Sequence, residues 1–411
     1  MRIALIVEHF PPMRTSCAVQ MRDLAREFYS RGVDVTVLVP SSGQEEAWVI
    51  DDFEGIEVIR LKAPYTRDRG NLVRALGEFA MPFAMLRSLR ASPANVRRYD
   101  GVAWYSPTIF LGPLVLALKR QSDCSAYLIL RDIFPQWAAD LGIMKRGPAF
   151  HLLNQVAKFQ YRVADTIGVQ AKGNLTFFAD ENEYGSKSVE VLQNWMQVPQ
   201  HAHCSINISQ TRIAGRQVFV YAGNMGVAQG MDRLLDLATR MQSDPRAGFV
   251  FVGRGDAVDK LKAKADERQL TNILFFDEIH PDEIPGLYAQ CHVGMVALDP
   301  RHTSHNIPGK FISYMHASLP VLAIVNPNND LVDIINDEGV GFASINGDGA
   351  DLQQMAQRML DLGAELQAMR DNAARLANAR FSASQAARQI ASALGMSNNS
   401  DGPRNIEKGS D

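Results

Sequence analysis

The 411-residue sequence predicts an α/β protein built from two doubly wound parallel sheets. Three observations carry this. Short apolar runs alternate with amphipathic helical stretches through the first half. A polar stretch at 194–216 then breaks the rhythm, and the same alternation starts again. Hydrophobic residues make up 46% and charged ones 21%, which excludes disorder, collagen and coiled coil for the bulk of the chain. A net charge of −3 supplies no basic field, so nucleic acid is not an expected partner.

Residues 3–7 (IALIV) form a continuous apolar run, as expected of a strand buried on both faces. A loop with Pro11 and Pro12 follows. The helix pattern over 18–30 has Val19, Met21, Leu24, Ala25 and Phe28 on one face, and Gly32 closes it. Strands are expected at 33–39, 102–105, 127–130, 166–169 and 189–192. The uncharged stretch 101–118 falls short of the ~20 residues of a spanning helix. Pro107, Gly112 and Pro113 also interrupt it, so it reads as a buried strand, a loop and a helix start. Past the break come strands at 218–222, 249–252, 273–276, 293–298 and 321–324, with helices over 231–241 and 258–268. The end is helical over 351–362, 365–377 and 382–394. This gives a first domain at 1–196, a linker at 197–216, a second domain at 217–380, a terminal helix at 381–396, and a polar tail at 397–411 whose composition predicts disorder.

Cys17, Cys124, Cys204 and Cys291 show neither metal-ligand spacing nor a disulfide framework, which fits a reducing compartment. The apolar run after Arg2 is too short for a secretory signal. From Arg60 to Arg98 nine basic residues stand against two acidic ones, Asp68 and Glu78, interleaved with Leu72, Val73, Leu76, Phe79, Met81, Phe83, Met85, Leu86 and Leu89. Such a segment reads either as a membrane-surface helix or as a core helix with a solvated basic face.

Ligands of doubly wound sheets gather at the carboxyl ends of the strands, so the loops there hold the candidates. After the first strand come Glu8, His9, Arg14 and Thr15, ahead of a helix N-terminus suited to anions or polar groups. After 127–130 come Arg131 and Asp132, an ion-pairable dyad that either serves the site or anchors its loop. The second half opens with Gly223, Asn224, Gly226 and Gln229, and one strand later Gly253, Arg254 and Gly255 repeat the arrangement. Glycine turns between strand and helix allow a phosphate to approach backbone amides, and are also common as plain turns. The densest polar stretch runs from His302 to Pro320, with His305, Asn306, Pro308, Lys310 and Ser313; Lys310 is a natural phosphate partner. His302, His305 and His316 lack metal-ligand spacing and no acidic pair accompanies them, so no metal or other cofactor is expected. No Gly-x-Ser-x-Gly elbow, Walker A loop or dinucleotide fingerprint occurs.

These motifs resemble those of the family 4 glycosyltransferases, retaining enzymes of the GT-B fold. The carriers are EHFPP, RDIFPQW, VEVLQNW, YAGNMGVAQGMD, VFVGRGD, PDEIPGLYAQCHVGMVAL and PGKFISYMHASLPVLA, spread from Met1 to about Leu394. RDIFPQWAADLGI and GNMGVAQG look closest to O-antigen N-acetyl-L-fucosamine transferases. The resemblance implies two Rossmann-like domains facing across a cleft, with the terminal helix returning to the first. It implies a UDP-sugar donor on the second domain, held by Gly223, Asn224, Gly226, Gln229, Gly253, Arg254, Gly255, His305, Asn306, Pro308, Phe311 and Ser313. The acceptor lies on the first domain near Glu8, His9, Arg14 and Thr15, and Arg131, Asp132 and Lys310 are the catalytic candidates. The implied acceptor is a polyprenyl-diphosphate-linked saccharide. Localisation is expected to be cytoplasmic, peripheral on the inner face of the inner membrane, with the basic 60–98 segment on an anionic surface. Where the family carries two glutamates flanking seven residues, His305 and Ser313 stand here, and Asn224 and Gln229 replace its arginine and lysine. Arg131 occupies the family's N-domain histidine position, and Ser318 stands where a glycine precedes the Pro-Val strand. Two rivals are a UDP-sugar 2-epimerase on the same fold and a non-catalytic scaffold subunit, the latter suggested by the missing glutamates.

Overall fold

The computed structural model describes residues 1–396 apart from 14, 66–70, 141, 181–183, 186, 198–202, 227, 228, 299–306, 328 and 346. The tail at 397–411, expected to be disordered, thus lies outside the described residues. The chain divides into two units, Met1–Gln193 joined by the segment from Ala383, and Asn194–Ser382.

The first unit holds β1 (Arg2–Ile6), β2 (Asp34–Ser41), β3 (Trp48–Phe53), β4 (Ile56–Lys62), β5 (Gly101–Ser106), β6 (Ser125–Leu130), β7 (Thr166–Val169) and β8 (Ser188–Val191). Its helices are α1 (Ser16–Ser30), α2 (Asn71–Ala91), α3 (Gly112–Ser122), α4 (Gln136–Asp140) and α5 (Pro148–Val163). The sheet order is β3-β4-β2-β1-β5-β6-β7-β8, parallel throughout except for β3 against β4. The near-continuous burial of β1, β5 and β6 is what a parallel sheet covered on both faces demands, and explains their unbroken apolar runs. Chain order reverses at β1, between β2 and β5, so the loop after β1 opens at the switch point of the sheet. The stretch 101–118 is β5, a loop and the start of α3. Among the described residues no helix is long and apolar enough to cross a membrane.

The β3–β4 hairpin is an element the sequence reading passed over. Glu54 and Gly55 both have positive φ, so they form a two-residue hairpin turn between a partly exposed β3 and a mostly buried β4. The Glu-Gly pair between apolar-polar alternations is the signal that marks it.

The second unit holds β9 (Gln217–Ala222), β10 (Ala247–Val252), β11 (Ile273–Phe276), β12 (Val293–Ala297), β13 (Val321–Ile324) and β14 (Gly341–Ser344), all parallel, in the order β11-β10-β9-β12-β13-β14. Its helices are α6 (Asp232–Arg240), α7 (Val258–Glu267), α8 (Ile284–Tyr288), α9 (Gly309–His316), α10 (Leu331–Glu338), α11 (Gly349–Asp361) and α12 (Ala364–Arg380). Here the order reverses at β9, so the loop from Gly223 occupies the equivalent switch point. Within 197–216, Ile206, Ile208 and Ile213 are buried in the core of this unit, beside Val218 and Val250.

A last helix, α13 (Ala383–Ala393), packs on α1 of the first unit. Arg31 donates to Ser384 Oγ at 2.8 Å, Gln389 donates to the Val191 carbonyl at 2.9 Å, and Leu394 covers Gly101. The return of the terminal helix implied by the resemblance is therefore present.

Candidate functional site

At the β9 switch point, Lys310 is the organising side chain. It is the second residue of α9, whose cap Pro308 supplies no side-chain hydrogen bond. A cation at a helix N-terminus opposes the helix dipole, a cost that a bound anion would offset. Lys310 Nζ donates to Tyr221 Oη at 2.7 Å and stands 4.2 Å from the centroid of the Tyr221 ring. Burial pulls its pKa down to about 8 and raises that of Tyr221 above its ordinary range. Tyr221 in turn donates to the Asn224 carbonyl at 2.7 Å, which ties the lysine to the glycine turn.

A cavity of about 340 Å³ opens beside Lys310, walled by Gly223 and Gly253 on one side and by Ile279, Pro281, Ile284 and Tyr288 on another. Glu278 and Ser313 also line it. Ser313 Oγ donates to the Gly309 carbonyl at 3.2 Å. Arg254 is exposed and pairs with Glu278 at 3.3 Å. Glu278, Ile279, Pro281, Ile284 and Tyr288 are contributors that sequence reasoning missed. They follow β11 at its carboxyl end, and that position is the signal for them.

The glycine turns do a different task from the one their pattern suggests. The amides of Gly223, Met225 and Gly253 donate to the carbonyls of Val252, Arg254 and Phe276. The Gly226 amide donates to Gln229 Oε1 at 3.0 Å, and Asn224 Nδ2 reaches the same oxygen at 3.3 Å. Gly253 and Gly255 both have positive φ, and a Cβ on either would collide with the Gly223 or Met225 carbonyl. They are glycines because the two turns lock together. Lys310 is thus the buried cation beside these turns, with Asn224 and Gln229 as neutral polar neighbours.

Phe311 requires a correction. The resemblance places it on the donor, but its side chain is fully buried and packs edge-on against Phe381 at 5.9 Å, so it is a core residue. His316 is likewise structural, its Nε2 lying 3.1 Å from the Phe381 carbonyl. His302, His305 and Asn306 lie outside the described residues. Among the described residues no group of His, Cys, Asp and Glu is arranged to hold a metal ion.

In the first unit a second cavity, of about 200 Å³, opens at the ends of β1, β5 and β6. Glu8, Arg74, Glu78, Thr108, Phe110, Asp132, Phe134 and Trp137 are among its walls. Arg74 pairs with Glu78 at 2.7 Å, while Glu8 and Asp132 add two further carboxylates. Burial raises the Asp132 pKa, and the neighbouring Arg131 opposes the rise. Arg131 itself is buried away from this cavity. Its Nη1 donates to the Leu192 carbonyl at 2.6 Å and its guanidinium lies 5.8 Å from the Tyr105 ring. It joins the end of β6 to the residue after β8 and fixes the backbone that carries Asp132. Thr15 caps α1, its Oγ1 accepting from the Ala18 amide at 3.2 Å, so its hydroxyl is engaged. His9 is half-buried in the β1–α1 loop, and Arg14 lies outside the described residues.

Two parallel α/β units, each with a pocket at its switch point, define the GT-B architecture of glycosyltransferases. Residues 206–376 match the family Glycosyl transferases group 1, so the second unit carries a domain of that kind. The probable glycosyltransferase WbjE of Pseudomonas aeruginosa is 24% identical over 369 residues, covering 88% of this chain and 90% of that protein. Among solved structures, sucrose-phosphate synthase from Thermosynechococcus elongatus shares the fold with a TM-score of 0.66 at 15% identity, covering 95% of this chain and 98% of that one. HepE of Anabaena, solved in complex with UDP, has a TM-score of 0.64 at 16% identity, covering 96% of this chain and 100% of that one.

Proposed function

We propose that this chain is a glycosyltransferase of cell-surface polysaccharide or lipopolysaccharide assembly, moving a sugar from a UDP donor to a lipid-linked saccharide. The observation that carries the reading is Lys310, held by Tyr221 at a helix N-terminus and facing an apolar wall of Ile279, Pro281, Ile284 and Tyr288. A cation beside a flat apolar strip matches the two ends of a nucleoside diphosphate. The kinship with WbjE and the UDP held by HepE support the same assignment.

In this reading the donor lies on the second unit, and Lys310 stabilises the charge that develops on the departing diphosphate. The donor sugar is an N-acetylhexosamine or a 6-deoxy derivative such as N-acetyl-L-fucosamine, transferred with retention by front-face displacement. The acceptor sugar occupies the cavity of Glu8, Glu78, Asp132 and Trp137, where carboxylates accept from hydroxyl groups and the exposed indole offers a face for a sugar ring. A pocket with more carboxylates than cations disfavours phosphate, so it takes a neutral sugar rather than a diphosphate. The enzyme works on the cytoplasmic side, peripheral to the inner membrane, with the basic 60–98 segment toward the anionic surface.

Calorimetric titration with UDP in EDTA, with GDP as control, tests this. Micromolar, UDP-selective binding is expected. Absence of binding, or equal binding of GDP, overturns the donor assignment.

A further inference from the structure

The helix α2 is apolar on two opposite sides. Met81, Met85 and Leu89 are buried against the core of the first unit. On the opposite side Val73, Leu76, Phe79 and Phe83 are 52, 63, 53 and 52% exposed, with Ala80 exposed among them. At 100° per residue these five fall within one arc of about 120° on the helix, and so do Arg87 and Arg90, both exposed, one and two turns further on. The outward face is thus an apolar ladder that ends in two guanidinium groups. Phe79 and Phe83 are neighbours, 6.1 Å apart, and Phe79 also packs edge-on against Phe110 at 6.3 Å. Phe110 lines the first-unit cavity, as do Arg74 and Glu78 from α2 itself. The ladder therefore adjoins the pocket assigned to the acceptor sugar.

Much of the basic charge of the 60–98 segment is already engaged. Arg60 pairs with Asp51, Arg74 with Glu78 and Arg97 with Glu57, and Lys62 donates to the Glu45 carbonyl. Among the described residues, Arg87, Arg90 and Arg98 are the exposed arginines of the segment outside such pairs.

We propose that the outward face of α2 inserts into an anionic bilayer surface, with Val73, Leu76, Phe79 and Phe83 among the acyl chains and Arg87 and Arg90 at the lipid phosphates. This deepens the lipid-linked-acceptor reading, since it sets the sugar pocket at the headgroup level. Exposed aromatic and aliphatic side chains gathered on one face mark an interaction site. The passage from apolar to cationic along that face fits a lipid surface, whose phosphates border its hydrocarbon. Insertion differs from adsorption by charge in one measurable way: apolar burial is not screened by salt.

The test is flotation of the full chain with phosphatidylglycerol-containing vesicles and with phosphatidylcholine vesicles. The chain is expected to float with both, more strongly with the former, and to remain bound at ~0.5 M salt, where exposed charges are largely screened. The variant Phe79→Ser/Phe83→Ser is expected to lose at least about tenfold in partitioning, with far-UV dichroism and UDP affinity unchanged. Arg87→Glu/Arg90→Glu is expected to lose roughly tenfold on the anionic vesicles alone. Three results overturn the proposal: no flotation of the unmodified chain, equal flotation of the Phe79/Phe83 variant, or dimerisation without vesicles that this variant abolishes. UDP binding without flotation removes only the membrane face, whereas flotation without UDP binding removes only the transferase reading.

Discussion

At the scale of single residues the decisive quantity is the charge of Lys310. Burial against Tyr221 lowers its pKa to about 8, so it is cationic at neutral pH at a cost in folding stability. The folded state binds this proton less tightly than the unfolded chain. The cost is therefore fully present below pH 8 and is relieved as pH rises from 8 toward the ordinary lysine value of 10.5. Binding has the opposite dependence, because a diphosphate needs the charged form. UDP affinity is expected to be flat up to about pH 7 and to fall above pH 8, approaching tenfold per pH unit until the pKa of the complex is reached. Lys310→Arg, permanently charged, should flatten this decline, and a titration series showing the same fall in both proteins would exclude Lys310 as its origin. Lys310→Ala should reduce turnover by more than about tenfold, since a preorganised charge on the leaving group is removed. Near-unmodified rates would take the residue out of that role.

At the scale of elements, what periodicity fixes was visible and what packing fixes was not. The runs 166–169 and 321–324 coincide with β7 and β13, because strands covered on both faces are apolar almost throughout, and 273–276 coincides with the half-buried edge strand β11 because its four residues are all apolar. The β3–β4 hairpin escaped because β3 is partly exposed and because Glu57 and Arg60 interrupt the buried Ile56, Val58, Ile59 and Leu61 of β4. For α2 the pattern left two readings open, because both sides of the helix are apolar and only contacts tell which one is packed. The glycine turns looked like anion cradles, yet the amides of Gly223, Met225, Gly226 and Gly253 are already hydrogen-bonded to neighbouring strands and turns, a fact of tertiary approach that no spacing encodes. One departure from the family pattern has a backbone consequence. Ser318, in the turn from α9 to β13, has a φ of +54°, the left-handed conformation that a glycine at this place adopts without cost. A non-glycine residue there loses about 1–2 kcal/mol, of which roughly 0.4–1 is regained from its less flexible unfolded chain. Ser318→Gly should therefore stabilise the second unit by about 0.5–1 kcal/mol, seen as a higher midpoint in thermal unfolding. A lower midpoint would mean that the serine side chain contributes more than its strained backbone loses.

At the scale of the whole molecule the chain crosses from the first unit to the second and comes back. The polar stretch at 194–216 announced the outward crossing, although the buried Ile206, Ile208 and Ile213 show that its later part is built into the second unit. Composition did not reveal the return, since α13 is a small alanine-rich helix whose partner lies more than three hundred residues earlier. What it contributes can be stated. Ile390, Leu394 and Met396 are buried, and Ala386 and Ala387 bring the backbone close to the first unit. Burial of three such large apolar side chains is worth about 5 kcal/mol, comparable to the net stability of a domain. The Lys310 cavity is built wholly from residues of the other unit, so the two properties separate. Deleting residues 383–411 should lower the unfolding midpoint of the first unit markedly or leave it unfolded, while UDP affinity stays within about twofold. Hydrogen exchange resolved by segment, run beside calorimetric titration with UDP, reads both. Unchanged protection of β1 and β5 would show that α13 is dispensable for the first unit, and lost UDP binding with that protection intact would show that the helix supports the donor site instead.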